Sequence, residues 1–244
     1  MKKVIILSIT LLTTISCHNT TEQVPTNEHF FNICLIIDGT DRIDKQQSIP
    51  DVDIDFVMDL AEKIQRKGGG IFWFTYISEN SEKNPNAFLR VYNAPTCPKQ
   101  ERKKDYETPS EYAKKNDLIK AKFISDSITF EKGKAERFSK FRGNVQEILK
   151  MAYSDRVAKN KKGSDVHGAI NLGIKLLQSY LHAPTSHLIL VSDLIDNVGT
   201  ELGAIPDDIT VICVNQSFSR HKLDRIIQLE LSSLEQLDYI FETQ

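Results

Sequence analysis

"FFNICLIIDGTDRI", residues 30–43, is the stretch whose reading decides the fold. Its first nine residues form a nearly continuous apolar run that ends at Asp38. Runs of this kind are strands buried on both faces, as in parallel sheets. The run then gives way to Asp38, Gly39, Thr40, Asp41 and Arg42. Two carboxylates, a hydroxyl and a guanidinium follow a greasy strand within five residues. In open α/β sheets ligands bind at the carboxyl ends of strands, so this is a candidate binding terminus.

The neighbouring segments fit the same architecture. "DIDFVMDLAEKIQRKGGG" has apolar residues at 54, 57, 60, 61 and 64, a helical period. Asp51, Asp53 and Asp55 crowd its start, where the helix dipole favours anions, and Gly68–Gly70 ends it. "IFWFTYI" (71–77) reads as a second strand and "AFLRVYN" (87–93) as a third, at an edge. Residues 94–131 are charged and polar and read as an insertion, with too little apolar mass for a core of its own. Within it Thr108-Pro109-Ser110-Glu111 has the form of a capping box, which starts a helix. A second helical stretch is expected over about 134–158, with Gly143 as an interruption. Residues 163–184 form an amphipathic helix with a Pro stop. "SHLILVSDLIDN" (186–197) repeats the opening theme, a strand ending at Asp193. Residues 208–216 are a further strand, and 222–241 a closing helix or helix pair. Alternating strands and helices predict an α/β fold: a doubly wound, mostly parallel sheet with helices on both faces and a helical insertion.

The N-terminus stands apart. Met1-Lys2-Lys3 precedes a 12-residue apolar run, Val4–Ile15, too short to span a bilayer and suited to a signal peptide. Thr14-Ile15-Ser16-Cys17 resembles a bacterial lipobox, with Thr14 where Leu is usual. The resemblance implies a lipoprotein signal peptide over 1–16, a lipidated Cys17, a tether over 17–29 and a domain over 30–244. An ordinary secretory signal and an uncleaved anchor are the alternatives. A lipid anchor implies the bacterial cell envelope, periplasmic or surface-exposed. Cys34, Cys97 and Cys213 then remain, an odd number that leaves at least one free thiol. No Cys/His spacing suggests zinc. Net charge is −2 over 244 residues, which argues against nucleic acid as a partner.

Three places, in order, resemble a von Willebrand factor A-type (vWA) domain. Asp38-Gly39-Thr40 resembles the first metal motif of that family, Asp-x-Ser-x-Ser. Gly163-Ser164, opening "GSDVHGAINLGIKLL", resembles the Gly-Thr that supplies a further hydroxyl. Asp193 in "LILVSD" resembles the second acidic residue. The closing "LEQLDYIF" resembles the family's last helix. The resemblance implies a metal-ion-dependent adhesion site in which Asp38, Thr40, Ser164 and Asp193 hold Mg²⁺ or another divalent cation, completed by an acidic group from a partner protein. Hard cations take oxygen ligands at near-octahedral geometry, often with water retained. The motif is degenerate here: Arg42 stands where the family has its last Ser. A guanidinium cannot ligate a cation. It either points away or pairs with Asp38 or Asp193 in place of the metal, and Asp41 is a possible additional oxygen ligand.

Plainer readings apply to each piece. Asp-Gly-Thr after a strand is often only a turn, and Ser164 is often only an N-cap. His167 is expected at the rim, His187 at a strand start, and "KQERKK" (99–104) as a solvated loop. The functional expectation is a non-enzymatic, lipid-anchored interaction protein. Its rivals are a metal-dependent hydrolase of phosphohydrolase type using Asp38, and a metal-free scaffold with the motif vestigial. The chain has no nucleophile elbow, P-loop or dinucleotide fingerprint.

Overall fold

The computed structural model describes residues 30–38, 49–96, 98, 104, 106–157, 163–180, 185–215, 223 and 226–242. Cys17, the tether, Thr40, Asp41, Arg42, Cys97 and most of the 99–104 run lie outside these residues.

The centre is a six-stranded mixed sheet of β1 (Phe31–Asp38), β2 (Gly70–Ile77), β3 (Ala87–Val91), β4 (Thr185–Val191), β5 (Ile209–Val214) and β6 (Leu229–Leu231). Their order is β3-β2-β1-β4-β5-β6, and every pairing is parallel except β2 with β3. β1 is thus central, and its eight residues are all buried, as its apolar run predicts. Successive side chains on a strand point to opposite faces. Ile33, Leu35 and Ile37 belong to one core with residues of helices α1 (Ile54–Arg66) and α2 (Pro109–Val157) and the 3₁₀ segment Leu234–Phe241. Cys34 and Ile36 belong to a second core with helix α3 (Val166–Gln178). Burial pushes the Cys34 thiol far above its ordinary range and the Cys213 thiol up to about 12, so both behave as small hydrophobes.

Helix α1 forms as its sequence predicts. Asp53 caps it, its Oδ1 accepting from Phe56 N at 2.7 Å. Lys63 in its last turn meets Asp59 and Asp238, both at 2.8 Å, and these carboxylates raise its pKa. Gly69 and Gly70 then turn the chain into β2 at φ of 84° and 157°. A Cβ on Gly70 would lie 2.1 Å from the Phe31 carbonyl oxygen, so only glycine lets β2 start this close to β1.

Three expectations need correction. The helical stretches at about 108 and 134–158 are one 49-residue helix, α2, so an insertion ending at 131 cuts through a single element. Gly143 does not interrupt it: the residue is exposed and faces open space. A lone glycine costs about 1 kcal/mol in a helix, which the surrounding ladder outweighs. The capping box does form, with Glu111 Oε2 accepting from Thr108 N at 2.9 Å and Glu111 N donating to Thr108 Oγ1 at 3.3 Å. The closing helix is instead a short strand, β6, followed by the 3₁₀ segment. Leu229 and Leu231 alternate with Glu230, a period of two, and Ser232 breaks the run by donating N–H and Oγ–H to Gln236 Oε1. The third correction, to the cap of α3, belongs to the site. No helix among the described residues is long and apolar enough to cross a membrane.

Candidate functional site

Asp38 is the last residue of β1 and is 1% exposed. The parallel register pairs Ile37 with Val191, so the ends of β1 and β4 lie side by side. Ser192, the first residue past β4, donates its hydroxyl hydrogen to Asp38 Oδ2 at 2.8 Å. Asp193 follows, also buried. The sequence placed the strand end at Asp193; the strand ends two residues earlier, and Asp193 sits in the turn beyond it.

That turn is strained and heavily bonded. Leu194 has φ 60°, a left-handed conformation that L-residues other than Gly, Asn and Asp rarely adopt. It is held by a bond from its N–H to Ser192 Oγ at 2.9 Å and by its buried side chain. Asp193 Oδ1 accepts from Ile195 N at 2.9 Å. Asp196 Oδ1 accepts from Val198 N and Gly199 N, and Gly199 supplies φ 85°.

The start of α3 is stitched to this turn. Ser164 N donates to Asn197 Oδ1 at 2.6 Å, Asn197 N donates to Ser164 O at 3.2 Å, and His167 N donates to Asp196 Oδ2 at 2.8 Å. It is also stitched to the end of β2. Asp165 N donates to Ser78 O at 2.8 Å, and Asp165 Oδ2 accepts from Ser81 N at 3.0 Å. Asp165, not Ser164, caps α3, with Oδ1 accepting from Gly168 N at 2.9 Å. This is the third correction. The polar residue one position nearer the helix has the reach to its first turn, which leaves Ser164 outside the cap.

Three of the four expected metal-ligating residues, Asp38, Ser164 and Asp193, are therefore carried on elements that converge at one edge of the sheet. Thr40 and the additional candidates Asp41 and Arg42 lie outside the described residues. The donor chemistry of the edge, carboxylate and hydroxyl oxygen, suits a hard cation such as Mg²⁺ and not a soft one. Among the described residues no group of three His, Cys, Asp or Glu side chains is disposed to hold a metal. His167 is a rim residue as expected: its side chain is 25% exposed, and its Nδ1 lies 2.7 Å from Thr200 O. A carbonyl oxygen accepts, so Nδ1 carries the hydrogen. His187 lies within β4, not at its start, with neither ring nitrogen hydrogen-bonded.

Sequence reasoning missed Ser192, Asp165 and Asn197, which organise the edge. The signals were a hydroxyl beside Asp193 and the Asp-Asn-x-Gly turn at 196–199. Compared with protein-family models, with curated proteins and with solved structures, the chain matches none of them.

Proposed function

We propose that the chain is a non-enzymatic, lipid-anchored envelope protein whose doubly wound, vWA-like domain binds a partner protein at the Asp38 edge through a degenerate metal-ion-dependent adhesion site. The observation that carries this reading is the bond from Ser192 to Asp38. It joins the β1 and β4 termini at the central pair of the sheet, and Asn197 brings the Ser164 segment to the same edge. The strand order 3-2-1-4-5-6 supports a doubly wound sheet, whose ligand crevice lies beside β1 and β4. Helices α1 and α2 in one core and α3 in the other support cover on both faces. The lipobox-like Ser16-Cys17 supports the anchor.

In this reading Asp38, Ser164 and Asp193, with Thr40, hold Mg²⁺ directly or through water. The bound cation supplies a Lewis-acidic position for a partner carboxylate. Ser192 and Ile195 N–H fix the carboxylates of Asp38 and Asp193, and Asp165 fixes the helix that carries Ser164.

Calorimetric titration with Mg²⁺ and Mn²⁺ tests it. Wild-type protein should bind one divalent cation, and Ser164→Ala and Asp193→Ala should weaken that binding. Equal binding in all three, or none in wild type, would defeat the metal-dependent form. Turnover of generic phosphate esters that disappears in Asp38→Ala would favour a hydrolase instead.

A further inference from the structure

Helix α2 is longer than the sheet it packs on. Tyr153 Oη accepts from Val52 N at 3.0 Å, beside the start of α1 and at the edge where β1 ends. Arg137 lies 4.8 Å over the Tyr92 ring, just past the end of β3 and at the opposite edge. The helix between these two points is about 24 Å long, close to the roughly 26 Å of an eight-residue strand such as β1. The part from Pro109 to Arg137 therefore runs on past the sheet as an arm of about 43 Å. Among the described residues neither core takes a residue from α2 before Phe138.

The arm carries an apolar face that the chain leaves exposed. Leu118, Ile124 and Ile128 are 72%, 57% and 65% exposed, and Ala121 and Ala135 are exposed as well. The helical repeat puts Ala121, Ile124, Ile128 and Ala135 on one stripe. Lys120 and Glu131 flank it on one side, and Lys114, Lys132 and Glu136 on the other. Among the described residues Lys114, Lys120, Glu131 and Glu136 form no ion pair within the chain. The order of charge inverts about the middle of the arm. Lys114 and Glu136 stand equally far on either side of Ser125, and Lys120 and Glu131 do so within one residue, as do Asp117 and Lys132. A helix lying on a bilayer presents a cation-rich polar face, whereas acid and base are mixed beside this stripe. An inverted charge order is what a two-fold contact between identical surfaces requires.

We propose that this face of α2 is a self-association surface, on which a second copy of the chain docks with its arm antiparallel. A two-fold axis near Ser125 brings Lys120 to Glu131 of the second copy and Lys114 to Glu136 of the second copy, and each pair occurs twice. Ile124 packs against Ile128 of the second copy, and the stem of Lys132 covers Leu118 of the second copy. The alanines of the stripe let the two helices approach closely. The pairing sets the two domains at opposite ends of the joined arms. Their Asp38 edges, at the far side of each sheet from the arm, then face outward, which makes the molecule bivalent. The association itself does not depend on a metal ion or a lipid anchor.

The test is sedimentation equilibrium of the full-length chain in density-matched detergent, held in excess so that chains do not share a micelle by crowding. Wild type is expected to show a reversible monomer–dimer equilibrium. Lys120→Glu sets acid against acid twice in the dimer, and Glu131→Lys sets base against base twice. Each variant alone should raise the dimer Kd about tenfold or more. An equimolar mixture of the two variants restores opposite charges at both contacts and should dimerise with close to wild-type affinity. Recovery in the mixture also shows that both variants are folded, since a misfolded chain would not regain a partner. An arm that serves a different protein, or a bilayer, leaves the wild-type chain monomeric at every concentration, and that result overturns the proposal. Single variants that dimerise as wild type does, or a mixture no tighter than the variants alone, overturn it equally.

Discussion

Ser192 Oγ and Asp38 Oδ2 lie 2.8 Å apart, both buried and 154 residues apart in the chain, and their bond joins the ends of the two central strands. The same hydroxyl accepts from Leu194 N at 2.9 Å, so it also holds the left-handed residue next to Asp193. Ser192→Ala strips a partner from a buried carboxylate and from a strained backbone N–H. A loss of about 2–3 kcal/mol is expected. It is read as a lower urea midpoint at unchanged slope. A midpoint equal to wild type would mean the bond does not organise this edge.

Asp165 and Ser164 are neighbours with separable roles. Asp165→Ala removes the cap of α3 and the bond from Ser81 N together, for an expected cost of about 2–4 kcal/mol. The hydrogen bonds between Ser164 and Asn197 run through the Ser164 backbone, which alanine retains. Ser164→Ala should therefore cost less than Asp165→Ala while weakening cation binding. Thermal melts of the two variants, beside their Mg²⁺ titrations, check the separation. The reverse order of stabilities would contradict it.

His187 gives the fold a pH dependence of known sign. Burial pushes its imidazole down from 6.5 to about 4. Between those values the unfolded chain binds the proton and the folded chain does not, so stability rises with pH across the window. The contribution is complete above pH 6.5 and declines by about 3 kcal/mol as pH falls to 4. His187→Leu keeps the volume and removes the titration. Urea midpoints measured from pH 7 to pH 4 should fall less steeply in the variant. Parallel curves would show that His187 is not the group responsible.

Gly173 marks where α3 meets the sheet. A Cβ there would lie 2.4 Å from Leu188 Cδ1 and 3.1 Å from Ile36 Cδ1, both in the second core. Gly173→Ala gains helix propensity of about 1 kcal/mol but must displace two packed side chains, costing about 1–3 kcal/mol. Net destabilisation by chemical denaturation is expected, whereas Gly143→Ala, in open space on α2, should stabilise. A stabilised Gly173→Ala would mean that α3 sits farther from the sheet.

Much of this architecture is written in local pattern. The apolar run to Asp38, the period of α1, the glycines at 68–70 and the capping box at Thr108 each act over a few residues, and each is legible. The merging of two helical stretches into α2 was not, because the charged and polar residues up to 131 show no apolar stripe that runs on into the second stretch. The 229–231 strand was hidden because it is only three residues long and its Leu231 also fits a helical stripe; pairing with β5 decides it. At the site, Asp38 at the end of β1 and Asp193 just past the end of β4 are visible in sequence. Ser192 and Asn197 are not, since their roles arise only once β1, β4 and α3 converge.

The most direct measurement is anomalous diffraction from crystals of the full chain soaked in Mn²⁺. A manganese peak bonded to Ser164 Oγ, at about 2.2 Å and beside Asp38 and Asp193, is the expected result. The Arg42 guanidinium at that place, or no peak there at saturating Mn²⁺, would contradict a cation-centred interaction face.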